Sequence, residues 1–266
     1  MALDPGSARV KEIARLHQKD ARYETGLFLL EGPQGLKELA QYPALAQETF
    51  VTESAAERYV GELSALERAG VPVELVSTRV MEKISDTKTP QGVVSVVHHI
   101  DVEFPEIVAS KPKLVVLLDR IQDPGNAGTI IRAADAAGAD AVVFSLGSVD
   151  PYNSKVVRST AGSLLNVPVS VGVELSQAIP ELQASGVQVL STSAKGEGLP
   201  AMGRETLGKP SAWIFGNEAG GVDAKLASLA DTTVSIPIYG SAESLNLATA
   251  ASVCLYFTAF AQRANH

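Results

Sequence analysis

Apolar positions follow two different patterns along the chain, and the pattern changes near residue 100. In the first half, helical spacing over 7–18 ("SARVKEIARLHQ") and a helix start after Pro33 alternate with short apolar runs. Those runs are rich in Val, Leu and Phe and predict strands at 26–32, 48–52, 71–77 and 92–100. The first half therefore predicts a small α/β unit.

The second half is more regular. Six runs rich in Val, Ile and Leu alternate with helical segments: "LVVLL", "AVVFS", "VPVSVG", "VQVLST", "SAWIFG" and "TVSIPI". Near-continuous apolar strands between helices are typical of a parallel sheet covered on both faces. The intervening stretch "DVEFPEIVASKPK" has two prolines and no sustained period, which indicates a linker. The predicted division is 1–105, a linker at 106–113, and 114–266.

The composition is that of a globular protein with a real core. The chain has 266 residues, 45% of them apolar, and a single cysteine, Cys254, in an apolar run that predicts a buried helix position. There is no apolar stretch of about 18 residues, and the first residues lack the apolar core of a secretory signal. We expect a cytoplasmic protein with no membrane partner.

The charge argues against a protein that grips nucleic acid over its whole surface. The net charge is −8 and the pI is about 5.1. A local basic cluster nevertheless occurs at 9–22, made by Arg9, Lys11, Arg15, Lys19 and Arg22. It is either a solvated helix face or a stripe that contacts phosphates. The four histidines are scattered, so no metal site is expected.

The stretch "RIQDPGNAGTIIRAADAAG", residues 120–138, follows an apolar run and resembles a nucleotide-binding turn. It lacks the G-x-G-x-x-G spacing and the ribose-binding acid that a dinucleotide loop requires. What remains is a helix start that projects Asn126 and Arg132, which could converge on one ligand. Alternatively, Asn126 only caps the helix and Arg132 only pairs with Asp135.

Two later stretches also end apolar strands with polar groups. "WIFGNEAGGV", residues 213–222, places Glu218 among glycines that let a ligand approach the backbone closely. In "IPIYGSAESLNLATAASVCLYF", residues 236–257, Ser244 is a natural N-cap of a long apolar helix and Asn246 is a second polar group in its first turn. Taken singly, each is also compatible with an ordinary turn or cap.

Taken together, the order of "DPGNAGTIIRAADAAG", "FGNEAGG" and "IPIYGSAESLNLATAAS" strongly resembles the three motifs of the SpoU/TrmH branch of the SPOUT RNA methyltransferases. The resemblance runs from Leu114 to the C-terminus. Through "FLLEGPQGLKEL" and "SDTKTPQGVVSVV", the first half resembles the small α/β ribosomal-protein-like substrate-binding domain that many members carry.

The resemblance implies a parallel α/β sheet with a C-terminal trefoil knot that binds S-adenosylmethionine. It implies cofactor contacts from the backbone or apolar side chains of Phe215, Gly216, Ile236, Ile238 and Leu245. The polar residues of the reaction site would be Asn126, Arg132, Glu218, Ser244 and Asn246. The family builds this site in a homodimer, so Arg132 would act beside the cofactor of the other protomer.

The implied reaction is methyl transfer to a ribose 2′-hydroxyl of RNA, with ribosomal RNA favoured over transfer RNA and no role for DNA. A guanidinium is a poor base, so the preferred role of Arg132 is to hold a phosphate and stabilise the developing alkoxide. The proton would then leave through Ser244, Glu218 or solvent. Alternatives are a non-catalytic RNA- or ribosome-binding assembly factor with this fold and, less well supported, a nucleotide-dependent oxidoreductase.

Overall fold

A computed structural model describes residues 3–263 and divides the chain into two compact units. Unit 1 contains the residues up to Ile100 together with Asp150–Leu165, and unit 2 contains Asp101–Val149 and the residues from Asn166 onward. No helix among the described residues is long and apolar enough to cross a membrane.

The first hundred residues form a four-stranded mixed sheet with six helices. The helices and strands, in chain order, are α1 (Ala8–Arg15), α2 (Lys19–Thr25), β1 (Leu27–Glu31), α3 (Pro33–Leu39), β2 (Ala46–Val51), α4 (Glu53–Arg58), α5 (Val60–Arg68), β3 (Val73–Leu75), α6 (Thr78–Ile84) and β4 (Val93–His98). The strand order is β1-β4-β2-β3, with only β2 and β3 parallel. All four strands predicted for this half are confirmed.

The remaining residues contribute six strands, a further seven helices and the insertion into unit 1. The elements are α7 (Phe104–Ala109), β5 (Leu114–Leu118), α8 (Pro124–Ala137), β6 (Ala141–Ser145), α9 (Ser154–Thr160), β7 (Val169–Val173), α10 (Leu175–Ala184), β8 (Gln188–Gly198), α11 (Arg204–Leu207), β9 (Ser211–Phe215), α12 (Ala224–Leu229), β10 (Thr232–Ser235) and α13 (Leu247–Arg263). The strand order is β10-β8-β9-β5-β6-β7, and every neighbouring pair is parallel. The predicted parallel sheet is confirmed.

Both faces of this sheet are buried. Val115, Leu117 and Ile214 lie in a core cluster with residues of α7, α10 and α12. Because side chains alternate along a strand, Trp213 points to the opposite face, where its Nε1 donates a 2.9 Å hydrogen bond to Thr258 of α13. Cys254 of the same helix is fully buried, as expected from its apolar neighbours.

The division of the chain differs from the predicted boundaries in two places. The predicted linker at 106–113 overlaps α7, and this helix buries Phe104 and Ile107 in the core of unit 2. The second difference is Asp150–Leu165, which belongs to unit 1 although it lies within the predicted second domain. The chain consequently passes between the units three times.

A buried ion pair anchors this insertion within unit 1. The Arg22 guanidinium is 1% exposed and donates from Nε and Nη2 to the Asp150 carboxylate, at 2.9 and 2.5 Å, and from Nη1 to the Leu16 and His17 carbonyls. Tyr152, two residues later, stacks on His99 with ring centroids 3.9 Å apart. These contacts explain why a segment of the second half folds with the first.

Candidate active site

Polar residues of three distant segments meet where β5 and β9 end. The two strands are parallel neighbours, with Leu118 opposite Phe215, and the Asp119 amide donates to the Phe215 carbonyl at 2.8 Å. β6 and β7 lie on one side of β5, and β8, β9 and β10 lie on the other. The direction in which strands are added to the sheet therefore reverses between β5 and β9. In open α/β sheets, ligand sites form at the carboxyl ends of strands at such a point.

Motif one starts helix α8 at this edge. Asp123 is its N-cap, and its carboxylate accepts a 2.7 Å hydrogen bond from the Asn126 amide, while Pro124 occupies the first helical position. The alternative that Asn126 caps the helix is therefore wrong. Since the cap is filled by Asp123, the side-chain amide of Asn126 is left for other partners.

Motif two forms a tight loop that requires a glycine. The Asn217 amide donates to the Gly221 carbonyl at 3.0 Å, and the Gly221 amide donates back to the Asn217 carbonyl at 2.8 Å. A Cβ on Gly216 would lie 2.0 Å from the Gly221 carbonyl carbon and from the Val222 nitrogen. Only glycine fits at position 216, and the loop is thereby folded back against the end of β9.

Glu218, at the tip of this loop, accepts hydrogen bonds from motif one. Its carboxylate oxygens accept from the Gln122 amide at 3.2 Å, the Asp123 amide at 3.0 Å and Asn126 Nδ2 at 3.2 Å. Partial burial alone would raise the pKa of the carboxyl group. The hydrogen bonds from these donors and from its own amide outweigh burial and hold the Glu218 pKa below its ordinary value. Glu218 is thus an ionised acceptor and a weak base.

Motif three joins the same network through Asn246. Its Oδ1 accepts from the Ala248 and Thr249 amides at 2.9 and 3.3 Å and so caps α13, while its Nδ2 donates to Asn126 Oδ1 at 2.9 Å. The expectation that Ser244 caps this helix is wrong, because α13 begins at Leu247 and position 246 is the one in reach of its free amides. A directional chain results: Asn246 donates to Asn126, which donates to Glu218.

A small pocket lies beside this network, between the middle of β8 and the segment that follows β10. Its lining includes four of the predicted site residues, Ile236, Ile238, Ser244 and Leu245, together with Thr192, Ser193 and Ala194 of β8 and one acidic residue, Glu243. Phe215 and Gly216, also predicted to contact a cofactor, are buried and do not line the pocket. The site therefore pairs a polar network with a mostly apolar pocket.

Comparison with known proteins agrees with these motifs. Residues 113–256 match the model of the SpoU rRNA Methylase family. The chain belongs to the SpoU rRNA methylase family. Residues 7–95 match the model of the MRM3-like substrate binding domain.

Individual SpoU-family proteins resemble the chain over nearly its whole length. The 23S rRNA (guanosine(2553)-2′-O)-methyltransferase RlmP of Bacillus subtilis is 37% identical over 248 residues, which cover 93% of this chain and 94% of the relative. An AdoMet-bound rRNA methyltransferase from Sinorhizobium meliloti superposes with a TM-score of 0.83 at 30% identity, covering 97% of this chain and 96% of the other. AviRb of Streptomyces viridochromogenes, solved with AdoMet, gives a TM-score of 0.80 at 27% identity, covering 98% and 100%.

Arg132, the remaining predicted SpoU-type site residue, stands apart from the network. It lies six residues beyond Asn126 on α8, about 9 Å further along the helix axis, and is exposed. No ion pair or hydrogen bond of its guanidinium is formed among residues 3–263. The alternative of a pair with Asp135 is wrong, since that carboxylate accepts from Asn166 instead, at 3.2 Å.

Asn217 is a residue of the candidate site that the sequence pattern did not single out. Its Nδ2 donates to the Arg120 carbonyl at 2.8 Å, and its Oδ1 accepts from the Ala219 amide at 2.9 Å. It therefore fastens the motif-two loop to the motif-one strand end and orients the neighbouring Glu218. Its position directly before Glu218, in a loop of glycines, was the available signal.

Part of the predicted basic cluster is engaged with carboxylates. Arg9 pairs with Glu48 and Glu74, and Arg22 is buried against Asp150. The stretch "DPYNSKVVRSTAG" offers three further candidates for phosphate contact, Asn153, Lys155 and Arg158. Of these, Arg158 donates to Asp86 at 2.9 Å. These carboxylates lie far away in the sequence, so the local pattern overstated the free positive charge.

The other two candidates, Asn153 and Lys155, also differ in whether their side chains are already engaged. Asn153 caps α9, where its side chain accepts from the Lys155 amide at 2.9 Å. The Lys155 side chain is exposed. Of these two residues, only Lys155 has the exposed side chain that a phosphate contact requires.

Proposed function

We propose that this chain transfers a methyl group from S-adenosylmethionine to a ribose 2′-hydroxyl of ribosomal RNA. The observation that carries the proposal is the hydrogen-bond chain Asn246–Asn126–Glu218, which joins all three motifs at one sheet edge. The nearly full-length similarity to a 23S rRNA 2′-O-methyltransferase supports the reaction and the RNA class. Two AdoMet-bound structural relatives support the cofactor.

The residues of the pocket suit this cofactor. Ile236, Ile238 and Leu245 offer apolar surface for a flat purine, and Thr192, Glu243 and Ser244 add polar groups to the lining. The close approach that Gly216 permits keeps backbone rather than side chain at the end of β9. When bound, S-adenosylmethionine supplies a methyl group already activated on sulfur.

Glu218 acts in this proposal as a fixed anion and not as the base. Three N–H donors of motif one hold its carboxylate, and its lowered pKa leaves it a poor proton acceptor. Its role is to hold the Gln122 and Asp123 amides and to orient Asn126. The network of Asn126, Glu218 and Asn246 then sets the position of the loop that bears Ser244.

Arg132 and Ser244 are the groups left to act on the RNA. The Arg132 guanidinium is exposed and without an ion-pair partner among the described residues, so its fork can bind a phosphate and stabilise an alkoxide. Ser244 is exposed at the pocket and can pass the hydroxyl proton to solvent. An Arg132→Lys variant retains the charge and loses the planar fork, so we expect a strong loss of methyl transfer.

The knot, the RNA-binding region and the location of the protein are part of the same proposal. The C-terminal segment is proposed to form the trefoil knot, which the fold likeness over 97% of the chain supports. Unit 1, together with the matched substrate-binding region, is proposed to hold the RNA. A cytoplasmic location is also proposed, and the similarity to a bacterial 23S rRNA methyltransferase supports it.

A homodimer through unit 2 is proposed from an exposed aromatic face of α13. Tyr256, Phe257 and Phe260 are 38%, 41% and 68% exposed, which is costly for three neighbouring aromatic side chains in water. A second copy of this face would cover them, and the proposed role of Arg132 beside the partner's pocket requires such a dimer. We expect Phe260→Lys to shift sedimentation to the monomer, whereas Val60→Lys, a 58% exposed apolar position in unit 1, leaves the dimer intact.

The experiment for the reaction is methyl transfer from labelled S-adenosylmethionine to unmethylated ribosomal RNA, with transfer RNA in parallel. We expect label in ribosomal RNA with the wild type and little with Arg132→Ala, while both proteins bind the cofactor. Label in transfer RNA alone would show that the substrate is transfer RNA and not ribosomal RNA. Cofactor binding with no transfer to either RNA would favour a binding protein that has kept the fold.

A further inference from the structure

A groove in unit 1 is lined by basic side chains without an acidic one. It runs beside α1 and α6 and has a volume of about 590 Å³. Its charged lining residues are Lys11, Arg15 and Lys83, and the rest are Pro5, Gly6, Val10, Ala14 and Gln18. We refer to it as the α1/α6 groove.

The packing of the two helices places these cations outward. α1 and α6 contact each other, and their apolar residues, among them Ile13 and Met81, enter one core cluster. Lys11 and Arg15 are four residues apart and so lie on one side of α1, about 6 Å apart along its axis. Both lysines and Arg15 are exposed.

Little countercharge reaches the groove. The Arg15 guanidinium is 3.4 Å from the Glu24 carboxylate, but these side chains are 59% and 69% exposed, so the pair is weak. Among the described residues, Lys11 and Lys83 form no ion pair. The groove is therefore a positive surface on a chain whose net charge is −8.

Helix stabilisation explains only part of this arrangement. Arg15 and Lys83 lie in the last turns of α1 and α6, where a cation interacts favourably with the helix dipole. Lys11 lies in the middle of α1, where that effect does not apply. The helix dipole therefore does not explain why all three cations line one groove.

We propose that the α1/α6 groove binds the phosphate backbone of the substrate RNA. The inference rests on the proposed function, which supplies a polyanion as the substrate. Lys11 and Arg15, one helical turn apart, can each meet a phosphate of the same strand, and Lys83 faces them from the other helix. Lys11 and Lys83 form no carboxylate pair among the described residues, and Arg15 forms only an exposed one, whereas Arg22 is paired in a buried site.

The test compares two full-length triple variants that lose the same charge. One carries Lys11→Gln, Arg15→Gln and Lys83→Gln; the control carries Lys37→Gln, Arg58→Gln and Arg68→Gln, which neutralise exposed cations on α3, α4 and α5 of the same unit. The affinity for unmethylated ribosomal RNA is measured over a range of KCl concentrations. Each lost phosphate contact lowers the slope of log K against log salt by about 0.7–0.9.

We expect the groove variant to lose about 2 to 3 units of that slope, with thermal unfolding close to wild type, and the control variant to keep the wild-type slope. Equal slopes for all three proteins would overturn the groove while leaving methyl transfer by the wild type as evidence for the function. A reduced slope without methyl transfer by the wild type would support the groove and overturn the function. Equal slope losses in both variants would show general charge attraction and also overturn the groove.

Discussion

Replacing Gly216 with alanine tests the loop geometry on which the candidate site depends. The added methyl group would lie 2.0 Å from the Gly221 carbonyl carbon and the Val222 nitrogen, a distance far below any real Cβ contact. Both obstacles are backbone atoms, so no side-chain rotation can relieve the clash. The 217–221 turn must move by about 1 Å, which is the gap between 2.0 Å and the 3.0 Å limit.

The expected cost combines two effects. Overpacking a buried position costs about 1–3 kcal/mol. Moving the turn also strains the two hydrogen bonds between Asn217 and Gly221, each worth about 1 kcal/mol. We expect a loss of about 3–5 kcal/mol in the free energy of unfolding, or roughly 6–20 °C in the unfolding temperature of unit 2. Cofactor affinity should fall as well, since Glu218 of this loop orients the network that sets the position of the pocket residue Ser244.

Gly220→Ala is the matched control in the same loop. A Cβ there meets nothing within 4 Å, and its φ lies outside the left-handed region, so we expect a change within about 0.5 kcal/mol. Calorimetry and cofactor titration of both variants provide the comparison. If the two variants unfolded within a degree of each other, the close approach at Gly216 would not exist and the reasoning would be wrong.

Three further outcomes follow from individual contacts. Asn246→Asp keeps the oxygen that caps α13 but loses the donor to Asn126, so we expect near-normal thermal stability and a large loss of methyl transfer in the kinetic assay. Burial raises the pKa of the Cys254 thiol to about 12, so it should stay protonated and unreactive toward a thiol reagent at pH 8 until the protein is denatured. Arg22→Ala leaves the Asp150 carboxylate buried without its partner, and urea unfolding of unit 1 should show a loss of about 3–5 kcal/mol.

Each of these outcomes has a result that would contradict it. Asn246→Asp with normal turnover would show that the donor is dispensable, and rapid labelling of Cys254 in the folded protein would contradict its burial. For Arg22→Ala, the conservative control is Arg22→Lys, which keeps the charge and should retain part of the stability. Equal stability of Arg22→Ala and wild type would mean that the ion pair does not anchor the insertion.

The strands were predictable because their apolar runs are long and rich in Val, Ile and Leu. All six strands of the parallel sheet begin within two residues of their predicted runs. Helix α7 was not predictable in the same way. Its six residues offer only a short apolar pattern, with proline in the first turn, and such a pattern is typical of a linker. The helix is defined only by the burial of Phe104 and Ile107 in the core of unit 2, which the local sequence does not indicate.

The site was predictable in its residues but not in its contacts. The three motifs identified Asn126, Glu218 and Asn246, yet the local pattern assigned caps to Ser244 and Asn126 that belong to Asn246 and Asp123. Cap assignment depends on where the helix begins, which sequence resolves only to within a few residues. The partners of Arg9 and Arg22 depend on residues brought close by the fold, which no local pattern encodes.

The most direct test of the central claim is the identity of the nucleoside that receives the methyl group. Unmethylated ribosomal RNA is treated with the wild-type protein and labelled S-adenosylmethionine, digested to nucleosides and separated by chromatography with mass detection. The account requires the label to elute as a 2′-O-methylnucleoside, with the added mass on the ribose fragment, and to disappear with Arg132→Ala. Label on the base fragment, or a ribose label that persists in Arg132→Ala, would contradict it.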